Sequence, residues 1–210
     1  MGRKLTEQEI ERGLKAYRGP WQMLSLIGWD EEDMTDRPVI AVVNTFSDIC
    51  PGHMNLHQVG EAVKLGITQA GGVPVEFGTI GVCDITQNGY VLPPRDVICD
   101  SIELMVKCHG FDGVIMLGSC DKIVPGMMMA AARCEIPAMI VTGGPSLGGP
   151  PFEGRPKTEL TAVAEAEGQY MAGKISKEEV FNLARTVMPT YGSCAYYGTA
   201  NTMSCVTGAI

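Results

Sequence analysis

Four short apolar runs, separated by helical stretches, constrain the fold of this chain more than any other feature of its sequence. Each run is too short for a typical helix, and such continuous apolar runs are typical of strands covered on both faces. The runs are Pro38–Val43, Val73–Phe77, Gly113–Leu117 and Ala138–Val141, and the helical stretches between them are Leu56–Ala70, Arg95–Cys108 and Pro125–Arg133. Strand and helix in alternation predict an α/β, doubly wound fold, in which helices flank a mainly parallel sheet.

Helical segments are also predicted on both sides of this core. Thr6 and Glu9 match a capping box, which predicts a helix from there to about Tyr17. After the last strand, further helices are predicted over Thr158–Ala172, Ser176–Thr186 and Ala195–Met203. The chain therefore divides into an N-terminal helical segment, residues 1–36, and an α/β domain, residues 37–210.

Composition excludes two classes of partner. Sixteen Lys and Arg residues against 24 Asp and Glu residues give a net charge of -8, and such a surface repels nucleic acids and anionic membranes. No apolar stretch approaches the ~20 residues that a membrane span requires. The eight Cys residues accompany an extensive apolar core and no secretory leader, so we expect a cytoplasmic protein with reduced thiols. Such thiols are either buried in the core or ligands for soft metals.

Three of the four turns that follow the strands contain a Cys, and each of those turns also contains an Asp. The thiols are Cys50, Cys83 and Cys120, and the last two directly precede Asp84 and Asp121. Ligands of open parallel sheets bind at the carboxyl ends of the strands, so we expect a metal site there. The sequence has neither the glycine-rich dinucleotide-binding signature nor a P-loop, which removes the two commonest nucleotide-binding functions of such a fold.

The triplet Cys120-Asp121-Lys122 combines two kinds of potential ligand. A thiolate suits iron or zinc, whereas a carboxylate suits Mg²⁺, so one turn is able to serve two neighbouring metals. Lys122 in such a site would have to lose its charge, by burial or by carbamylation. The alternative is a buried Cys beside a surface Asp–Lys pair.

Cys194 directly precedes the predicted helix Ala195–Met203. A Cys at a helix N-terminus has its thiolate favoured by the backbone dipole, which makes Cys194 a candidate ligand. The alternative is a Cys that packs at a tight turn.

The other thiols are weaker candidates. Cys50 lies near His53 and His57, but the chain contains no C-x-x-C pair of the kind that zinc sites use. Cys83 beside Asp84 is ambiguous in the same way. The remaining thiols fall in or near predicted helices and are expected to pack in the core, namely Cys99, Cys108, Cys134 and Cys205.

Several motifs, taken together and in order, cover the chain from about residue 37 to the end. They are Ile40–Thr45, Pro51–His53, Leu92–Asp96 with Asp100–Glu103, Ser119–Lys122 with Pro125–Met127, Val141–Pro145, and Pro189–Cys194 with Thr199–Met203. In this combination the sequence resembles the dihydroxy-acid dehydratase and phosphogluconate dehydratase family of iron–sulfur dehydratases. Cys-Asp-Lys-x-x-Pro-Gly and Pro-Thr-x-Gly-Ser-Cys are the most specific of these signals.

The resemblance implies a hydro-lyase that dehydrates a small-molecule 2,3-dihydroxy acid to a 2-oxo acid, as in branched-chain amino acid biosynthesis. It implies that Cys120 and Cys194 ligate the iron–sulfur cluster, a Lewis acid toward the 3-hydroxyl. It also implies that Asp84, Asp121 and carbamylated Lys122 bind Mg²⁺. Two alternatives stay open: a sugar-acid dehydratase of the same family, and a non-catalytic module that needs a partner half. We also expect a homo-oligomer, most simply a dimer.

The sequence departs from the family pattern in three places. Gly52 stands where many members carry their first cluster Cys, so Cys50 is a candidate third ligand and the cluster type, [2Fe–2S] or [4Fe–4S], stays open. The segment Asp84–Gly89 differs from the family's substrate-pocket motif, so the substrate also stays open. Family members are more than twice as long, so we expect a chain truncated after Ile210. The catalytic base is expected in a C-terminal domain, and no catalytic residue is assigned in this chain.

Overall fold

The computed structural model of the protein describes residues 5–16, 20–86, 88–89 and 92–210. The helices are α1 (Glu7–Ala16), α2 (Pro20–Leu26), α3 (Glu31–Thr35), α4 (Leu56–Gln69), α5 (Pro93–His109), α6 (Ile123–Cys134), α7 (Thr161–Met171), α8 (Lys177–Thr186) and α9 (Thr199–Thr207). The strands are β1 (Val39–Asn44), β2 (Val73–Gly78), β3 (Gly113–Gly118) and β4 (Ala138–Thr142).

The four strands form one parallel sheet in the order β2-β1-β3-β4. Val43 of β1 is paired with Phe77 of β2 on one side and with Met116 of β3 on the other. After β2 the chain therefore crosses over β1, and the two central strands form a topological switch point. Ligands of doubly wound sheets bind in the crevice at such a point, which places the expected site after β1 and β3.

Helices cover both faces of the sheet, which confirms the doubly wound α/β fold. On one face, α5 and α6 pack against β1 and β3 around a core that includes Ile98, Ile102, Met116 and Met127. On the other face, α4 covers β1, β2 and β3. Central strands buried on both faces explain why they are continuous apolar runs rather than alternating ones.

The predicted helical segment before the sheet is present in the described residues. The Thr6 hydroxyl accepts a hydrogen bond from Glu9 N at 3.2 Å, and the Glu9 carboxylate accepts one from Thr6 N at 3.0 Å, as in the predicted capping box. That helix ends at Ala16, and the predicted end at Tyr17 lies outside the described residues. The short helix α3, which Asp30 caps, was not predicted. Among the described helices, none combines the length and apolarity needed to span a bilayer.

The prediction of a helix from Ala195 is wrong, because α9 begins at Thr199 with Gly198 as its N-cap. The Asn201 side chain explains the difference. Its Nδ2 donates to the carbonyl oxygens of Cys194, at 2.8 Å, and Tyr196, at 2.6 Å. Those carbonyls are held in an irregular turn and do not accept helical hydrogen bonds. Cys194 is therefore not at a helix N-terminus.

Candidate metal centre

A cavity of about 180 Å³ lies at the carboxyl ends of β1 and β3. Four thiols line it, those of Cys50, Cys83, Cys120 and Cys194. Cys50 comes from the loop after β1, Cys83 from the loop after β2, and Cys120 from the turn between β3 and α6. Segments far apart in the sequence therefore bring four potential soft ligands to one cavity.

Five of the six predicted site residues line this cavity, namely Cys50, Asp84, Cys120, Asp121 and Cys194. The sixth, Lys122, is buried and bonded to the carboxylates of Asp84 and Asp121. The expectation that these side chains converge at one edge of the sheet agrees with the geometry. Their roles as ligands stay a prediction.

The sulfur atoms of Cys50 and Cys120 are 3.3 Å apart. Cys50 is almost completely buried, and the next residues turn sharply, with His53 N donating to the Cys50 carbonyl at 2.9 Å. Cys120 precedes α6, and its carbonyl accepts the first hydrogen bonds of that helix, from Ile123 N and Val124 N. The backbone at both cysteines is thus held by hydrogen-bonded turns.

Three of the four thiols, those of Cys50, Cys83 and Cys194, have raised pKa values as long as no metal is bound. The hydrogen bond with Cys120 and burial together raise the pKa of Cys50 to about 12. The hydrogen bond with Cys50, followed by burial, raises the pKa of Cys83, and burial raises that of Cys194. A metal that binds here must displace these protons, so its affinity will rise with pH.

His53 lies behind the two thiols and is completely buried. Its Nδ1 is 2.8 Å from the carbonyl oxygen of Thr45, whereas Nε2 has no hydrogen-bonding partner among the residues that the structure describes. A ring nitrogen of His53 and the sulfurs of Cys50 and Cys120 all lie within 4.8 Å of one another. Burial lowers the pKa of His53, which keeps the imidazole neutral. This Cys-His-Cys group is able to hold a metal ion.

A second group, of harder donors, lies at the same cavity. Lys122 Nζ is 2.6 Å from Asp121 Oδ1 and 3.1 Å from Asp84 Oδ1. Arg95 Nη2 donates to the same Asp121 oxygen at 3.2 Å. Burial disfavours the charged forms of Lys122 and of the two carboxylates that it contacts, Asp84 and Asp121. For Lys122, burial is outweighed by the hydrogen bonds and charges of the two carboxylates, which raise the pKa of the ammonium.

The two carboxylates differ in pKa although both face Lys122. Burial raises the pKa of Asp84, and the neighbouring charge of Asp121 adds to the rise. Burial acts on Asp121 in the same direction, but hydrogen bonds from Lys122, Thr199 and Arg95 outweigh it and lower the pKa. Asp121 is therefore the more firmly ionised of the pair.

The Cys194 turn is attached to the loop after β4. Ser193 N donates to the Gly144 carbonyl at 2.9 Å, and Ser146 N donates to the Ser193 carbonyl at 2.8 Å. Gly192 has φ +136°, and a Cβ there would be 2.5 Å from the Pro145 carbonyl carbon. Only glycine permits this close approach, which explains the glycine before Ser193 and Cys194.

The sequence analysis missed some contributors and misplaced others. Arg95 was noted only within a family motif, and nothing in the sequence pairs it with Asp121. Of the helix thiols predicted to pack in the core, Cys99 and Cys134 do so, but Cys108 and Cys205 are exposed. Whether a helix thiol is buried or exposed depends on which elements pack against it, which local sequence does not reveal.

Residues 37–210 match the family of dihydroxy-acid/6-phosphogluconate dehydratase N-terminal domains. The chain belongs to this dehydratase family. The resemblance seen in the sequence motifs is thereby confirmed, including the assignment of the chain to the N-terminal portion.

Curated relatives in this dehydratase family carry the name dihydroxy-acid dehydratase. The protein of Caldanaerobacter subterraneus subsp. tengcongensis is 49% identical over 207 residues, which are 96% of this chain and 36% of that relative. The Methanosarcina barkeri protein is 50% identical over 90% of this chain and 34% of its own length. The Clostridium pasteurianum protein is 48% identical over 88% of this chain and 65% of its own length. The chain thus spans between a third and two thirds of these relatives.

Proposed function

We propose that this chain is the cluster- and metal-binding part of a dihydroxy-acid dehydratase, a hydro-lyase that converts a 2,3-dihydroxy acid to a 2-oxo acid. The observation that carries the proposal is the convergence of thiols and a carboxylate–lysine group on one cavity at the switch point of the sheet. The names of its relatives support the same reaction. A dihydroxy acid is favoured over a sugar acid because the relatives are named dihydroxy-acid dehydratase.

The donor set fits an iron–sulfur cluster. Cys50, Cys120 and Cys194 offer sulfur, the donor that such clusters use, and the first two are already in contact. Gly52 supports the fit, because it leaves space beside the Cys120 thiol that a side chain would occupy. We therefore assign these three thiols as cluster ligands.

The donor set beside the cluster residues fits Mg²⁺. Asp84 and Asp121 provide carboxylate oxygens, and carbamylation would give Lys122 an anionic oxygen in place of its ammonium. In that reaction the Lys122 ammonium first loses a proton, and the neutral amine then forms an N–C bond to CO₂ and loses a second proton. The present ion pairs of Lys122 would then become a set of oxygen ligands, while Arg95 keeps Asp121 in position.

When bound, the cluster and Mg²⁺ would supply Lewis acidity to the leaving hydroxyl and to the substrate carboxylate and 2-hydroxyl. The residues of the chain supply placement and exclusion of water. Ile85, Leu160, Met188 and Tyr196 give the cavity apolar walls, which strengthens electrostatic interactions within it. We assign no catalytic base among these residues.

The proposal is tested by anaerobic reconstitution of the chain with iron and sulfide. We expect a coloured protein that retains stoichiometric iron and acid-labile sulfide after desalting. A colourless chain without iron would overturn the cluster assignment.

Substrate assays then separate the open alternatives. Release of 2-oxo acid from 2,3-dihydroxy-3-methylbutanoate, but not from arabinonate, would support the branched-chain assignment, and the reverse would support a sugar-acid dehydratase. A chain that holds the cluster but turns over neither substrate would indicate a module that needs a partner half.

A further inference from the structure

The buried imidazole of His53 has an electron pair that no described group uses. Its side chain is completely shielded from solvent, and within the described part of the chain Nε2 has no hydrogen-bonding partner. A buried polar atom without a partner costs free energy, so such atoms are rare in folded proteins unless they have a function.

The tautomer of His53 follows from the other ring nitrogen. A carbonyl oxygen only accepts hydrogen bonds, so the 2.8 Å contact with Thr45 requires a proton on Nδ1. Nε2 is then unprotonated in the neutral ring and offers a lone pair. Metal-binding histidines use this arrangement, in which one nitrogen donates to a carbonyl and the other binds the metal.

The fold holds this imidazole rigidly. Thr45, which accepts the hydrogen bond, is itself anchored across the switch point, since its N and Oγ1 both donate to the Leu117 carbonyl. Gly81 makes space, because a Cβ there would be 2.8 Å from the Thr45 oxygen and 3.2 Å from His53 Nδ1. The hydrogen bond with Thr45 thus orients the ring, and the ends of β1 and β3 position Thr45.

The neighbours of His53 are the thiols that the proposed function assigns to the cluster. Its ring and the sulfurs of Cys50 and Cys120 offer ligand atoms within 4.8 Å of one another. We propose that His53 ligates the cluster through Nε2, beside Cys50 and Cys120, so that the cluster has a mixed cysteine–histidine ligand set. This inference rests on the proposed function, because it requires that a cluster binds.

The test is nitrogen hyperfine spectroscopy of the reduced, reconstituted chain. The chain contains three histidines, and His57 and His109 are exposed. We would label histidine with ¹⁵N and compare the wild type with the double variant His57→Gln/His109→Gln, in which His53 is the remaining histidine. Both proteins are expected to show the strong coupling of an iron-bound imidazole, with the isotope shift that ¹⁵N produces.

A direct substitution provides the second measurement. His53→Ala is expected to lose the coupling, and His53→Cys to lower the midpoint potential of the cluster, because a thiolate replaces a neutral imidazole. If these buried variants do not fold, the double variant still assigns the coupling.

The outcomes distinguish the two proposals. A wild-type chain that binds cluster without a strong histidine coupling, or with one that disappears in the double variant, overturns the role of His53 and leaves the proposed function intact. If His53 only accepted a hydrogen bond from a thiol, the cluster-bound chain would show no strong histidine coupling, which is the first of these two results. A wild-type chain that binds no iron overturns both proposals.

Discussion

The backbone of Gly52 lies so close to the Cys120 thiol that a Cβ at residue 52 would be 2.7 Å from Cys120 Sγ. The same Cβ would be 3.1 Å from the Gly192 carbonyl oxygen. Gly52 therefore occupies the junction of the loop after β1, the turn after β3 and the turn before Cys194. Residue 52 itself has no thiol. The same loop nevertheless provides one, because Cys50 contacts Cys120.

Gly52→Ala is expected to displace the Cys120 thiol and to lower the iron retained after reconstitution several-fold. Overpacking of this kind also destabilises folded proteins by about 1–3 kcal/mol. Iron content and urea denaturation of the same preparations would measure the two effects. A Gly52→Ala variant with full iron content would show that the site adapts to the added methyl group.

Gly66→Ala is the matched control. Gly66 lies inside α4, and a Cβ there would have no atom of another described element within 4 Å. Because Ala favours helix over Gly by about 1 kcal/mol, this variant should be slightly more stable than the wild type and keep its iron.

The proposed ligands are tested by comparing substitutions of thiols that line the cavity with substitutions of exposed thiols outside it. Cys120→Ser and Cys194→Ser are each expected to lose most of the bound iron, because both line the cavity. Cys108→Ser and Cys205→Ser change exposed thiols outside it and should keep the wild-type iron content. Iron and sulfide analysis measures all four. Equal retention in the two pairs would contradict the assignment of Cys120 and Cys194.

Oxidation of the metal-free chain should link Cys50 to Cys120, because their sulfurs are already 3.3 Å apart. Two thiols would lose their hydrogens to diamide, which is reduced to its hydrazine, and an S–S bond would form. The raised pKa of Cys50, about 12, keeps that thiol protonated near neutral pH. Peptide mapping by mass spectrometry identifies the linked pair, and Cys120→Ser should abolish the link. A principal link between other cysteines would contradict the geometry.

Much of the fold was predictable from sequence because its strongest signal is local. The apolar runs of the central strands, such as Gly113–Leu117, are continuous because helices cover both faces of the sheet. Their alternation with helices predicts a parallel, doubly wound sheet. It therefore also predicts that Cys50 and Cys120 lie at the edge formed by the carboxyl ends of the strands. The capping box at Thr6 is equally local, and its helix begins where the sequence indicates. The helix predicted from Ser176 also begins there, with Ser176 as its N-cap.

What sequence did not predict depends on contacts between distant residues. Helix α9 begins later than predicted because the Asn201 side chain donates hydrogen bonds to the carbonyls of residues 194 and 196. Helix propensity does not account for such contacts. The unpartnered Nε2 of His53 is visible only once Thr45 is known to take the other nitrogen. The pairing of Arg95 with Asp121 likewise requires the packing of α5 beside α6.

Lys122→Met is expected to destabilise the metal-free chain by about 1–3 kcal/mol, because it removes the ion pairs that Lys122 forms with the partly buried carboxylates of Asp84 and Asp121. The Lys122 side chain is 8% exposed, against 22% for Asp84 and 29% for Asp121. Denaturation in the presence of a chelator would measure the loss. Lys174→Met, at an exposed lysine, should change the free energy of unfolding by less than about 0.5 kcal/mol. A Lys122 variant as stable as this control would show that the ion pairs contribute nothing to folding.

The stability of the sheet edge at β2 should depend on pH through Glu76. Its carboxylate accepts a hydrogen bond from Asn44 Nδ2 at 2.7 Å and pairs with Lys64 Nζ at 2.6 Å. Burial opposes its charge, but these two partners outweigh burial and lower the pKa of Glu76. Since the folded-state pKa is the lower one, the contribution is complete above the unfolded pKa of about 4.3 and is lost as pH falls through the folded value.

Glu76→Gln should therefore reduce the free energy of unfolding at pH 7 by about 0.5–1.5 kcal/mol, and by less at pH 3.5. The measurement is urea denaturation of wild type and variant at both pH values. The difference in their free energies of unfolding is taken at each pH, so that the contributions of other carboxyl groups cancel. Glu61→Gln removes an exposed carboxylate that contacts the same lysine, and its effect should be smaller because solvent screens that pair. A difference between wild type and Glu76→Gln that stays constant, or grows, on acidification would contradict a lowered pKa for Glu76.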